Sequence, residues 1–335
     1  MTLSNDEKTA FRRAVYGFYR REGRHELAWR LTHDPYRILL SEIMLQQTQV
    51  SRVAVRYEEF LSLFPSLEAL AAASLRDVLA AWSGLGYNRR ARFLHELARV
   101  VVRDHGGELP RTVDALRELP GVGEYTASAI ACIAFGTRVP VIETNIRRAI
   151  IYSFFAYDAD PDMPLFAAER PEGESVDRPE LSVDDGARVA GKNGKLSFPE
   201  SRDEFIPRTV TAAVHDREVR EVAGQVLDRD YPREWNYALM DYGQALSRHV
   251  PNPNRHSAHY TRQSRFEGSR RQVRGALLKV LSGVADADEQ TLVDETGFMH
   301  ARVHSVLMDL AREGFVAHLG KESHAPDPAR RWRVR

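Results

Sequence analysis

Residues 118–136 read ELPGVGEYTASAIACIAFG, and this stretch constrains the fold more tightly than any other. One run with apolar residues at helical spacing ends near Pro120 and the next begins at Tyr125, so Gly121-Val122-Gly123 has to turn the chain between two helices. Glycine is used where the backbone takes a left-handed conformation or where something must approach it closely. The N–H groups of such a turn, with the N-terminus of the next helix, make a seat for a phosphate oxygen. Gly121, Val122, Gly123 and Thr126 are therefore candidate phosphate contacts. Plain packing of an αα-hairpin is the alternative.

Helical periodicity dominates the rest. Residues 7–21, 36–47, 50–63, 75–82, 90–104, 112–118 and 125–135 carry apolar side chains at spacings of three and four, separated by Phe64-Pro65, Gly84-Leu85-Gly86, Gly106-Gly107 and Pro120-Gly121. Helices are expected again at 209–228 and 232–247. The first 250 residues thus read as all-α. Between them, residues 158–204 are rich in Asp, Glu, Pro and Gly without periodicity, and read as an acidic, disordered insertion. Lys+Arg and Asp+Glu both total 47, so that insertion masks arginine-rich runs elsewhere, such as YNRRAR and NIRRA. Solvated helix faces explain each run singly; together they suit a polyanionic partner.

The last segment changes character. Helices over 270–281, 289–296 and 299–313 precede two strands, GFVAHLG and RRWRVR, which is the winged-helix plan, used both for DNA and for protein docking. No run approaches the ~18 apolar residues of a membrane span. The N-terminus is a charged amphipathic pattern rather than a leader. The single cysteine excludes a multi-cysteine metal site and an intrachain disulfide. A cytoplasmic, nucleoid-associated monomer with no membrane partner is expected.

Four blocks, in order, resemble the HhH-GPD superfamily of base-excision DNA glycosylases, and within it the adenine-specific mismatch (MutY-type) enzymes, over about residues 24–148. They are LAWRLTHDPYRILLSEIMLQQTQV, WSGLGYNRRARFLH, ELPGVGEYTASAIACIAFG and VIETNIRR; YALMDYGQALS resembles a fifth, the helix that leads into the family's iron–sulfur loop. The resemblance implies a mainly α fold: two α-helical subdomains with the cleft between, one carrying the helix–hairpin–helix, and here a C-terminal winged helix. The expected division is 1–30 and 141–157 with 205–265, 31–140, the insertion 158–204, and 266–335. It also implies double-stranded DNA with a mismatch or lesion as partner, a base flipped out of the stack, and hydrolysis of its N-glycosidic bond.

That bond breaks through an oxocarbenium-like sugar, which needs negative charge nearby and, for a purine, a proton donor on the base. Glu42, on a largely apolar helix, is expected to have a raised pKa and act as the acid. Glu143, at a helix start beside Arg147, is expected to stay ionised and stabilise the sugar, with Asn145 orienting it or a water. The family places Asp where Glu143 stands, and a helix cap is the competing role. Lyase members carry Lys where this chain has Tyr125, so a monofunctional glycosylase is implied. Tyr125, Trp29, Arg30, Tyr87 and Asn88 are assigned to the base pocket and Gln47 to the wedge; Arg89, Arg90, Arg147, Arg148 and Arg255 are assigned to phosphate.

Departures from the family matter equally. Its four cysteine positions are Ser247, Asn254, Ser257 and Gln263 here, so no iron–sulfur cluster is expected, and no other cofactor beyond a monovalent cation at the hairpin. Asn88 replaces a tyrosine that lies beside oxidised guanine, and a MutT-like domain is expected to be replaced by the winged helix. Adenine is thus the first expected substrate, thymine or uracil in a mismatch the second, and a non-catalytic damage binder the third.

Overall fold

A computed structural model describes residues 1–156, 208–209, 213–261, 265–319 and 327–335. The insertion expected at 158–204 lies outside the described residues, as does Gln263. The elements in order are α1 (Asn5–Glu22), α2 (Pro35–Leu45), α3 (Val50–Leu63), α4 (Leu67–Ala72), α5 (Leu75–Ala81), α6 (Arg89–Asp104), α7 (Val113–Arg117), α8 (Glu124–Phe135) and α9 (Thr144–Phe154). There follow β1 (Phe155–Ala156), β2 (Arg208–Thr209), α10 (Asp216–Val226), α11 (Pro232–Leu246), α12 (Arg270–Gly283), β3 (Ala287–Asp288), α13 (Glu289–Thr296), α14 (His300–Arg312), β4 (Val316–Leu319) and β5 (Arg331–Val334).

The helices begin where short polar side chains satisfy the first free N–H groups. Ser4 and Glu7 form a reciprocal capping box on α1. Asp34 accepts from the N–H groups of Tyr36 and Arg37, with Pro35 as first residue of α2. Ser66, Ser74 and Thr112 cap α4, α5 and α7 likewise. The sequence misplaces one start: the helix expected from residue 209 begins at Asp216. The β-branched run Thr209-Val210-Thr211 disfavours helix, Arg208–Thr209 pair in parallel with Phe155–Ala156, and the Glu218 carboxylate accepts the His215 N–H to close the new first turn.

The chain divides into two compact units. The first is Met1–Arg24 with Arg138–Tyr260. Its core is aromatic: Phe11 on α1 meets Phe154 on α9 edge-on at 4.9 Å and Trp235 on α11 at 6.0 Å. The second is His25–Thr137 with Thr261–Arg335. A single apolar cluster runs through it, from Leu39 and Met44 on α2 through Leu94 on α6 and Ile130 on α8 to Leu277 on α12 and Trp332 on β5. The tail that the sequence sets apart at 266–335 is therefore packed into the same unit as the hairpin.

Within the tail, β3, β5 and β4 form an antiparallel sheet in that order, behind α12, α13 and α14. The order of elements is α12, β3, α13, α14 and then the β4–β5 pair, so a third strand, β3, joins the two expected from sequence. Trp332 and Val334 point inward and Arg331 and Arg333 outward, as period two requires. The fully buried Glu289 is satisfied by the Trp332 indole N–H at 3.1 Å and by His304 Nδ1 at 3.0 Å.

Candidate active site

In the second unit α2 and α8 carry the first group of site residues. Glu42 is 4 % exposed, on a helix whose neighbours Leu39, Leu40, Ile43 and Met44 are all buried. The Tyr125 hydroxyl, from the first turn of α8, donates to Glu42 Oε2 at 2.5 Å. The hairpin turn is left-handed at Gly121 (φ 75°), where a Cβ would also sit 2.5 Å from Phe93 Cβ. Two separate reasons thus require glycine there. Gly123 caps α8 without any side-chain acceptor for its first N–H groups. Both glycines are exposed, and Val122 is buried beneath the turn.

Several assignments made from sequence need correction. Thr126 is buried, with its hydroxyl accepting from Gln46 Nε2 at 3.2 Å, so it does not face phosphate. Arg90 is buried as well. Its Nη1 donates to the carbonyls of Ile43, Met44 and Gln46, and its Nη2 to the carbonyls of Leu85 and Gly86 and to Thr48 Oγ1. Arg90 therefore ties the end of α2 to the 84–88 loop instead of binding DNA, and burial pulls its pKa down to about 10. Arg89 is exposed but donates to Glu313, beside Arg274. Trp29 is a core ring, edge-on to Tyr57 at 5.4 Å; Arg30 follows it, half-buried, in a short 3₁₀ turn. Gln47, Tyr87 and Asn88 line one cavity.

In the first unit α9 starts at the VIETN turn. Glu143 is its N-cap: Oε1 accepts from the N–H groups of Asn145 and Ile146 at 2.7 and 2.8 Å, and Oε2 from Asn145 Nδ2 at 3.1 Å. Both readings of Glu143 thus share one geometry, since the cap holds the carboxylate in place. Asn145 is itself held, accepting from Arg148 Nη1 at 2.7 Å, and that same nitrogen donates to the Gly243 carbonyl at 2.8 Å. Burial raises the Glu143 carboxyl above its ordinary range, while the two backbone N–H groups and Arg148 pull the other way. Burial thus works against the ionised state expected for Glu143, and the donors around it work for that state. Its three hydrogen-bond partners are all donors, which is what an ionised carboxylate requires.

Arg147 and Arg148 are not placed as phosphate contacts. Arg147 pairs with Asp216 through two bonds of 2.8 and 2.9 Å, and Arg148 is buried behind Asn145. Arg255 is exposed on the 3₁₀ turn Pro253–His256. The positions the family fills with cysteine do not fit a cluster: Asn254 donates to the Thr144 carbonyl at 2.9 Å, Ser257 Oγ accepts the His259 N–H at 3.1 Å, and neither offers a thiolate. Cys132 is buried in α8.

Two positioning residues escape a reading of the sequence. Asn254 braces the residue next to Glu143. Gly243, in the last turn of α11, lies so close to α9 that a Cβ would be 1.9 Å from the Asn145 carbonyl oxygen. A glycine inside a strongly patterned helix was the one available signal, because it costs about 1 kcal/mol there without a packing reason.

The second unit thus holds a Gly-x-Gly hairpin that opens α8, the helix–hairpin–helix arrangement, and the first unit holds a capped carboxylate at the start of α9. The chain matches the model of the HhH-GPD superfamily base excision DNA repair protein over residues 40–170. It resembles the MutY type: an adenine DNA glycosylase of Mycobacterium tuberculosis is 48% identical over 137 residues, covering 41% of this chain and 45% of that protein. One of Homo sapiens is 43% identical over 172 residues, 49% of this chain and 31% of that protein. The chain thus spans less than half the length of these curated relatives. A solved structure of a thermostable thymine-DNA glycosylase is similar at 26% identity and TM-score 0.50, covering 71% of this chain and 87% of that one.

Proposed function

We propose that the protein is a monofunctional DNA glycosylase that removes a mispaired base, adenine first, from double-stranded DNA as a monomer acting in the cytoplasm. The observation that carries this is Glu143, held at the start of α9 by three donors that fix a carboxylate in one orientation. Its negative charge stabilises the sugar as the glycosidic bond lengthens and the electron pair leaves with the base. Glu42 delivers a proton to the departing base, its carboxyl oriented by the Tyr125 hydroxyl. Water then adds to the sugar and gives up its proton, leaving an abasic site with the backbone intact. A lyase step needs an amine nucleophile, and Tyr125 occupies the position where lyase members carry it. The glycine turn and exposed Arg255 receive phosphates. No step uses an iron–sulfur cluster, because the residues present cannot ligate one.

Thymine is the second reading, favoured by the likeness to the thymine-DNA glycosylase. Duplexes with A·8-oxoguanine, A·G, T·G and U·G, incubated and then treated with alkali, separate the two. Cleavage in the adenine duplexes only after alkali is expected. Cleavage confined to T·G and U·G would transfer the assignment, and cleavage without alkali would overturn the monofunctional reading.

A further inference from the structure

The sheet of the tail has an outer face that no step above uses. β5 is its central strand, and period two puts Arg331, Arg333 and Arg335 on one side, all exposed and about 6.8 Å from one to the next. Leu319 and Ala317 of β4 stand opposite Arg331 and Arg333 on the same face.

The charge on this face is polarised. At one end Arg331 donates to Asp286 and lies 4.0 Å from Asp288, so the acids there are matched. At the other end the guanidiniums of Arg333 and Arg335 have no carboxylate partner among the described residues. The adjoining corner is basic too. The Arg335 N–H donates to the Phe315 carbonyl at 3.1 Å, and the Arg92 and Arg274 guanidiniums lie 5.3 and 5.6 Å from the Phe315 ring centroid. Arg274 and Arg89 share the Glu313 carboxylate, and Arg92 lies 3.6 Å from Glu96. Five arginines thus answer two carboxylates. On α14 the charges are already spent on one another: Asp309 accepts from Arg312 and from Arg270 of α12.

An unpaired guanidinium on a strand is suited to phosphate, because its planar fork donates two bonds at once. A row of like charges at a fixed spacing suits a polyanion whose own charges recur regularly. A protein partner would need aromatic or aliphatic anchors. Leu319, 38% exposed, is the one large exposed apolar side chain among the strand residues of this face. We propose that the outer face of the sheet is a second DNA-backbone contact. Arg333 and Arg335 take phosphates of the duplex beyond those held at the glycine turn, so the tail meets DNA through its sheet and not through α14. The inference rests on the glycosylase reading only in taking DNA as the partner.

The test uses the full chain and follows Kd against salt concentration, by fluorescence anisotropy, on matched and mismatched duplexes. Each phosphate contact contributes about 0.9 to the slope of log Kd against log salt. Arg333→Gln/Arg335→Gln is therefore expected to lower that slope by about 2 and to weaken binding on every duplex alike. Arg333→Lys/Arg335→Lys keeps the charge and is expected to keep a slope near wild type. Arg270→Gln/Arg312→Gln, which removes the same charge from α12 and α14, is expected to change the slope less. A wild-type slope in the folded Arg333→Gln/Arg335→Gln variant would overturn the face, and if that variant had lost affinity for poly-glutamate the face would pass to an acidic protein. A Lys variant with the slope of the Gln variant would show that charge is not what acts, and would overturn it too. An equal or larger change in Arg270→Gln/Arg312→Gln would move the contact to the helices. Excision scored on the same duplexes separates the two claims. Excision with an unchanged slope sinks the sheet face and keeps the glycosylase, whereas the slope change without excision on any duplex does the reverse.

Discussion

At the scale of single residues the proposed chemistry turns on two carboxyl groups in different surroundings. In the proposed reaction Glu143 has to be ionised to stabilise a sugar cation, and burial raises its pKa above the ordinary 4.5. Its sign follows directly. A carboxyl with a raised folded pKa binds its proton more readily in the folded protein, so its charge costs stability above that pKa, and the cost is gone below the unfolded value. Excision should therefore fall as pH drops through a value above 4.5, while stability does not fall with it from this group. Single-turnover rates against pH, with melting temperatures alongside, check this; a rate flat down to pH 4.5 would contradict it. For Glu42 the expected experiment is Tyr125→Phe, which removes the hydroxyl that orients the acid. A hydrogen bond to a neutral acid contributes about 0.5–1.5 kcal/mol, so a fall of roughly twofold to tenfold in excision is expected, with melting temperature little changed. Both residues were legible in the sequence from their blocks. Their hydrogen bond was not, because 83 positions separate them.

At the scale of elements, the important contacts are close approaches that hold site residues. Gly243 lets α11 lie against the Asn145 backbone. Gly243→Ala should push α9 outward, costing about 1–3 kcal/mol or more of stability, and should reduce excision beyond what the unfolded fraction explains. Thermal melts and single-turnover assays at a temperature where the variant is folded measure both. Arg90 holds α2 to the 84–88 loop through six acceptors. Lysine, a point charge with three donors, cannot reproduce that fork, so Arg90→Lys should lower the melting temperature clearly, with each abandoned buried acceptor costing about 1–3 kcal/mol. A wild-type melt would refute the clamp. These elements also show what a sequence reveals. The long helices α1, α3, α6 and α11 were legible from their apolar spacing, whereas α4, β1, β2 and β3, of two to six residues, are too short to show a period. The run YNRRAR was legible as basic. Which arginine faces inward was not, since neighbours on a helix point about 100° apart: Arg89 turns out, Arg90 in.

At the scale of the whole molecule, the C-terminal helices and sheet are built into the unit that carries the hairpin. Glu313, just past α14, accepts from Arg89 on α6 and Arg274 on α12, and these bonds hold its pKa down to about 2. A depressed carboxyl contributes stability that is full above its unfolded pKa and is lost as pH falls toward the folded one. The gap in melting temperature between wild type and Glu313→Gln should therefore be widest above about pH 5 and close as pH falls from there toward 2. The proposed reaction rests on Glu143, and the most direct test is single-turnover excision by Glu143→Gln at saturating enzyme on the preferred duplex. Gln keeps an oxygen for the Asn145 and Ile146 N–H groups but presents an amide to the Asn145 side chain and carries no charge. Excision is expected to drop by at least about a hundredfold with DNA binding retained; excision at the wild-type rate would contradict the role assigned to Glu143.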